Sequence, residues 1–281
     1  MRVELCTEPG NPARPNEDFA SVALPASGQG GTLVVLDGVT PPQGDDGCVH
    51  DVPWFVARLG GALGELSVSR RDMTLAEILS AAIARTAETH RSTCDLSHPR
   101  TPQATVVLAR WDAGQVEYLV LSDSALLVES PAGAVEAVLD RRLDLLPPRV
   151  TEARDLVRSL PQGSPQRAAA VREYVAVVES LRNAEDGFFT AAADPSAAFR
   201  AVTGTRPRAE VRTLVGLTDG ATRWVEKLGE GDWAECFAFL RKAGPQGLVE
   251  RVRVLERERV AAGVRVGGKP HDDATAVWVE L

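Results

Sequence analysis

"LVVLDGVTPP", residues 33–42, is an apolar run that ends on an acid, a glycine and, two residues later, a pair of prolines. Leu33 to Leu36 read as a buried strand, which delivers Asp37 to the edge of a core. Asp-Gly is a favoured two-residue hairpin turn. A hairpin needs its second strand at once, however, and Val39-Thr40-Pro41-Pro42-Gln43-Gly44 does not supply one, since proline cannot donate to a ladder. Taken alone, Asp37 is either a plain polar turn residue or a carboxylate held at a strand end for function, and the rest of the sequence decides between them.

The pattern recurs in "YLVLSDS" (118–124) and "LVGLTDG" (214–220). After Asp219-Gly220 the chain turns helical, so a hairpin fails there too. After Asp123-Ser124 comes "ALLVES" (125–130), a good strand, and a tight turn is the plain alternative for Asp123. Two further acidic sites precede strands: "NED" (16–18) before "FASVAL", and "HDD" (271–273) before "ATAVWV". Taken singly, Glu17-Asp18 and Asp272-Asp273 are adjacent like charges that belong in solvent. Together, the acids put much negative charge at strand ends, which costs stability unless a cation sits among them.

The donor type selects the cation. No cysteine or histidine stands in a spacing suited to zinc, and no EF-hand loop is present. Oxygen-only donors favour Mg²⁺ or Mn²⁺, with calcium next. Gly38 has no Cβ, so its carbonyl can approach a metal closely. Two hard cations bridged by one carboxylate lie roughly 3.5–4 Å apart, activate water and screen a phosphoryl group. The chemistry this suggests is phosphomonoester hydrolysis.

Composition narrows the field around that reading. The 281 residues suffice for one large domain or two small ones, and 44% hydrophobic with 25% charged residues is ordinary for a globular protein. A net charge of -8 with no local Lys/Arg cluster argues against nucleic acid as a partner. Cys6, Cys48, Cys94 and Cys236 lie far apart with no C-x-x-C pair, which reads as reduced thiols in a cytosolic protein and not as a disulfide framework or zinc knuckle. No signal-peptide stretch or 18-residue apolar window is present, so a cytoplasmic location away from membranes is expected.

Strands are expected at 2–6, 19–24 and 32–36, then helices at about 51–66 and 74–92, the second with a Thr74/Glu77 capping box. A β block over 104–139 reads as an antiparallel meander. Residues 141–210, rich in arginine, alanine and proline, read as an inserted lid or subdomain with one helix at about 166–183. A strand at 211–220, helices at 221–228, 231–242 and 246–262, and a last strand at 274–281 complete an α+β layered domain with no internal repeat.

The ordered set Asn16-Glu17-Asp18, Asp37-Gly38, Ser122-Asp123-Ser124, Thr218-Asp219-Gly220 and Asp272-Asp273-Ala274-Thr275 resembles the metal-dependent serine/threonine protein phosphatases of type 2C, including bacterial members. The resemblance spans 1–281 and implies a single catalytic domain: an antiparallel β-sandwich flanked by helix pairs in four layers, with a variable flap within 141–210. It implies that Asp37 bridges two Mg²⁺ or Mn²⁺ ions and that Gly38 offers its carbonyl. Asp219 would share a metal with Glu17 or Asp18, Asp272 would bind the other, and Asp123 would help hold a third. The family's phosphate-binding arginine stands five residues before the acid of "NED"; Arg14 stands four before Asp18. Where the family often continues "DG" with "HGG", and uses that histidine as general acid, this chain reads Val39-Thr40-Pro41. His50, farther along the same loop, is the candidate replacement acid, with capping of the helix after Asp51 as its structural alternative. His271 is read beside the metal ligand Asp272, and His90 and His98 as structural or solvated. The implied activity is removal of phosphate from phosphoserine or phosphothreonine in a protein or peptide. The alternatives are a small phosphorylated metabolite as substrate, or an inactive relative that binds a partner through the old cleft.

Overall fold

Apolar stripes at period 3.6 are realised in the helices of the computed structural model, which describes residues 1–27, 29–42, 44–263 and 269–281, while several of its strands are buried along almost their whole length. One sheet has the order β1 (Arg2–Glu8), β10 (Ala274–Glu280), β9 (Thr213–Leu217), β6 (Ala125–Glu129), β7 (Val135–Leu139). The other has the order β2 (Asp18–Ala23), β3 (Gly31–Gly38), β4 (Ala104–Trp111), β5 (Gln115–Leu121), β8 (Val202–Pro207). Every neighbouring pair is antiparallel.

The opening run explains the layering. Leu33 and Val35 point into the core between the sheets, where they meet Val107, Leu126, Leu214 and Val277. Val34 and Leu36 point the other way, into a core shared with α1 (Val52–Ser69) and α2 (Leu75–His90). A strand buried on both faces loses polar alternation and reads as continuously apolar. On the far side, α5 (Asp219–Glu226) and α6 (Trp233–Ala261) cover the first sheet through Trp224, Phe237, Leu240 and Trp278. The result is the four-layer α+β sandwich implied by the motif order.

Asp51 caps α1 through the Trp54 N–H at 2.9 Å, and Thr74 with Glu77 forms the expected capping box of α2. The helices expected at 231–242 and 246–262 form α6, broken at Gly244 (φ 74, ψ 173) before Pro245. Among the described residues, no helix is long and apolar enough to cross a membrane.

Two expectations need correction. Strands over 104–139 do not form one meander: β4 pairs with β5 and β6 with β7, but β5 and β6 lie in different sheets. The chain crosses between sheets at Ser122-Asp123-Ser124, so Asp123 sits in a crossover and not in a hairpin turn. Residues 141–210 also hold more order than one helix. There α3 (Pro148–Ser159) packs on α4 (Pro165–Leu181), and β8 then closes the edge of the second sheet. β8 escapes a pattern reading because "VTGTRP" is short and half exposed, with Gly204 making room for Tyr118: a Cβ there would meet the phenol oxygen at 2.2 Å.

Candidate functional site

Antiparallel register sets Asp18, the first residue of β2, directly opposite Asp37 near the end of β3. The other sheet ends at the same place. Thr218, just after β9, and Thr275, in β10, donate their hydroxyls to Asp18 Oδ2 at 2.9 and 2.6 Å. The backbone N–H of Asp219 donates to Asp37 Oδ2 at 3.2 Å. Asp18 thus ties one sheet to the other while its second oxygen, Oδ1, is buried without a hydrogen-bond partner.

The charge density at this point shows in the proton affinities. Burial, followed by the charges of Asp18, Asp219, Asp123 and Asp272, raises the Asp37 carboxyl well above the usual carboxylate range. Burial pushes Asp18 up to about 7 against the pull of its two threonine hydrogen bonds, with Asp273 and Asp219 adding to the rise. Asp123 is raised to about 7 by burial and then by Asp219. Burial also raises Glu17, whose carboxylate accepts a hydrogen bond from Thr40. Asp18, Asp37 and Asp123 each keep some exposed surface. An unpartnered buried carboxylate oxygen among purely oxygen donors fits a hard divalent ion.

Some acids already have cationic partners. Lys227 Nζ donates to Asp219 Oδ2 at 2.8 Å. Asp272 receives Arg223 Nη2 and Lys269 Nζ, both at 3.0 Å. Arg223 is itself buried and paired with Glu256, which also binds Arg253 and, at 2.6 Å, the Nδ1 of His271. The His271 ring therefore leans on Glu256 next to Asp272. Asp273 differs from Asp272: its two oxygens accept the Gly10 and Glu17 backbone N–H groups at 2.7 and 2.6 Å, which anchors the segment carrying Glu17. The need for glycine at 38 has a packing cause, since a Cβ would meet Val52 Cγ1 at 2.3 Å and the Glu17 carbonyl at 2.4 Å. At Gly220 a Cβ would meet the Asp273 carbonyl at 1.9 Å.

Two cavities border the acids. One, of 420 Å³, has Arg14, Glu17, Thr40, Lys269, His271 and Asp272 in its wall. Arg14 is exposed, and among the described residues its guanidinium has no hydrogen-bond partner. The other, of 1240 Å³, runs from Asp123 and Asp219 beneath the α3–α4 hairpin, where Arg141, Arg154, Arg158 and Arg167 face it. Arg141 pairs with Asp144, and Arg167 donates to the Leu160 carbonyl at 3.1 Å.

His50 lies elsewhere. It lines neither cavity; its ring stacks on Trp54 with centroids 3.9 Å apart, and its Nδ1 is 3.4 Å from Cys94 Sγ. Asp51 and not His50 caps α1, so the capping reading of His50 is corrected. His98 Nδ1 accepts the Arg100 N–H at 3.2 Å in its own turn. The pattern reading missed the pairing of Thr218 and Thr275 to Asp18, and the roles of Lys227, Lys269 and Arg223. The threonines stand inside the quoted motifs; the lysines and the arginine carry no local signal.

Two stacked antiparallel sheets with helices on both outer faces, and acids gathered at one end, define a type 2C phosphatase-like fold. The sequence matches no family model and no curated protein. Solved structures of this fold do match it. A serine/threonine phosphatase from Staphylococcus aureus aligns over 100% of this chain and 95% of its own, at 13% identity and TM-score 0.53. The S. agalactiae serine/threonine phosphatase aligns over 100% and 99%, at 13% identity and TM-score 0.55. Serine-threonine phosphatase 2C from Toxoplasma gondii aligns over 99% and 94%, at 16% identity and TM-score 0.54.

Proposed function

We propose that the protein is a phosphomonoester hydrolase dependent on Mg²⁺ or Mn²⁺ that dephosphorylates phosphoserine or phosphothreonine in proteins. The observation that carries this reading is the Asp18–Asp37 pair, with one buried carboxylate oxygen lacking any partner and neighbouring acids raising both proton affinities. Asp18, Asp37, Asp123 and Asp219, with Glu17, Asp272 and the Gly38 carbonyl, would hold two divalent ions and a looser third. Ions bound there supply the positive charge that makes water nucleophilic near neutral pH and screens phosphoryl oxygens.

The chain's own residues do the rest. Thr218 and Thr275 hold one Asp18 oxygen and leave the other free, and the Asp219 N–H orients Asp37. Arg14, in the wall of the smaller cavity, is the candidate cation for phosphate oxygens, whereas Lys269 beside it is already bound to Asp272 and Thr40. The larger cavity exceeds the ~300–1,000 Å³ usual for small-ligand sites and is lined by arginines, which favours an extended acidic phosphopeptide over a compact metabolite. Hydrolysis of p-nitrophenyl phosphate and of a phosphothreonine peptide, with Mn²⁺ and with EDTA, tests the reading. Hydrolysis of both that vanishes with EDTA supports it, and absence of hydrolysis with Mn²⁺ bound rejects it.

One observation favours a second reading. Lys227 and Lys269 already contact Asp219 and Asp272, an arrangement that can neutralise the acids without metal. On that reading the chain is an inactive relative that binds a partner through the same cleft. Failure of Mn²⁺ to bind, measured by calorimetry, would select it.

A further inference from the structure

A second group of ligating side chains lies away from the acids, at the opposite end of the loop that follows Gly38. Cys48 and His50 stand just before α1; His90 is the last residue of α2, and Cys94 lies in the turn beyond it. One donor atom from each of these four side chains lies within 4.8 Å of all the others. We propose that Cys48, His50, His90 and Cys94 form a structural zinc site.

The distances fit a tetrahedron. With Zn–S at about 2.3 Å and Zn–N at about 2.0–2.1 Å, its sulfur–nitrogen edges are about 3.5 Å and its sulfur–sulfur edge about 3.8 Å. Here Cys48 Sγ is 3.7 Å from His50 Nδ1 and 3.5 Å from His90 Nδ1, and Cys94 Sγ is 3.4 Å from His50 Nδ1. The two sulfurs are 3.1 Å apart, shorter than that edge but far beyond the about 2.05 Å of a disulfide bond.

The donor chemistry agrees. Two thiolates and two neutral imidazoles balance Zn²⁺ to zero net charge, which suits a half-buried place, and this mixed sulfur–nitrogen set selects zinc over Mg²⁺ or Mn²⁺. Both cysteines bind as thiolates, and any thiol proton still present leaves to solvent. The surroundings hold the donors in position: the His50 backbone N–H points at Cys48 Sγ at 3.4 Å, and the His50 ring stacks on Trp54. His90 is 2% exposed, and its ring has no polar contact among the described residues besides Cys48 Sγ. A metal answers what this buried imidazole is for.

The site would join the start of α1 to the end of α2, two helices that pack on one face of the same sheet. It would also anchor the far end of the loop whose near end is Asp37-Gly38. Among its described residues that loop has no strand or helix, and its sequence holds few apolar side chains, so a metal clip supplies order that a core does not.

Metal analysis of the chain, purified under reducing conditions without chelator and freed of loosely held metal by gel filtration, should find about one zinc per chain. Cys48→Ser and Cys94→Ser should each lose most of it, whereas Asp37→Asn should retain it. Because the cysteine variants could misfold, the wild type stripped with a strong chelator should also be titrated with Co²⁺. Tetrahedral visible bands and a thiolate-to-cobalt charge-transfer band are expected. A zinc-free chain, a Cys48–Cys94 disulfide, zinc retained in both cysteine variants, zinc lost in Asp37→Asn, or cobalt without the thiolate band would each overturn the proposal.

Discussion

Asp18 and Asp37 face each other where burial and mutual repulsion both favour the protonated form. Their folded-state proton affinities exceed those of an unfolded chain, so between the usual 3.8 and about 7 the native metal-free state holds more protons than the unfolded one. The penalty is absent at low pH and grows as pH rises through that window. Metal-free protein should therefore melt at a higher temperature at pH 5.5 than at pH 8. Asp37→Asn should raise metal-free stability at pH 8, with a smaller gain at pH 5.5. The same change should reduce Mn²⁺-dependent hydrolysis by on the order of 10²–10³-fold, the scale for losing one preorganised charge-stabilising group. Thermal melts across pH, paired with the phosphatase assay, check all three. Ser122 offers a separate residue-scale test. It holds φ 70, a left-handed conformation that suits glycine, at the position where the type 2C motif reads "GDS". Ser122→Gly should stabilise the fold by about 1 kcal/mol, read by urea unfolding.

The α3–α4 hairpin shows what an element adds to the acids beneath it. Proline at the first turn of each helix and the arginine-rich faces make it a helical pair, and its packing on itself leaves Arg154 and Arg158 toward the larger cavity. These two positive side chains predict a preference for phosphothreonine peptides with acidic flanks. Arg154→Glu with Arg158→Glu should lower the ratio of kcat/KM for acidic-flanked over basic-flanked peptides by roughly 10-fold at low salt. The wild-type preference should shrink as ionic strength rises and the Debye length falls. A ratio unmoved by the double substitution would remove the hairpin from substrate recognition. In α6, Gly244 at φ 74 turns the chain between two helical segments, and a Cβ there would lie 3.1 Å from Glu4 Oε2. Gly244→Ala should cost about 1–2 kcal/mol in chemical denaturation.

At the scale of the whole molecule, the acids sit where two sheets end together, so a cation bound among them would reinforce the joint. Mn²⁺ at ~100 times its dissociation constant should add about 2.7 kcal/mol to stability, and EDTA should remove it. Differential scanning calorimetry with and without Mn²⁺ reads that difference directly, and no shift would argue against a metal at the acids.

Most single elements could be read from the chain itself. The run Leu33–Leu36, the capping box at Thr74 and the terminal strand all depend on residues a few positions apart, and local sterics and burial act at that range. The five acidic motifs were legible for the same reason, each being a strand end followed or preceded by carboxylates. Only the tertiary structure decided which strands share a sheet, because β5 and β6 are separated by a crossover whose sequence looks like a turn. It alone brought Lys227 and Lys269 against Asp219 and Asp272. It also brought Cys48 and His50 to His90 and Cys94. "CVH" and "HRSTC" are weak half-patterns, and their partners lie 42 and 46 residues apart along the chain. No local period spans that distance. Two helices packing side by side on one sheet close it.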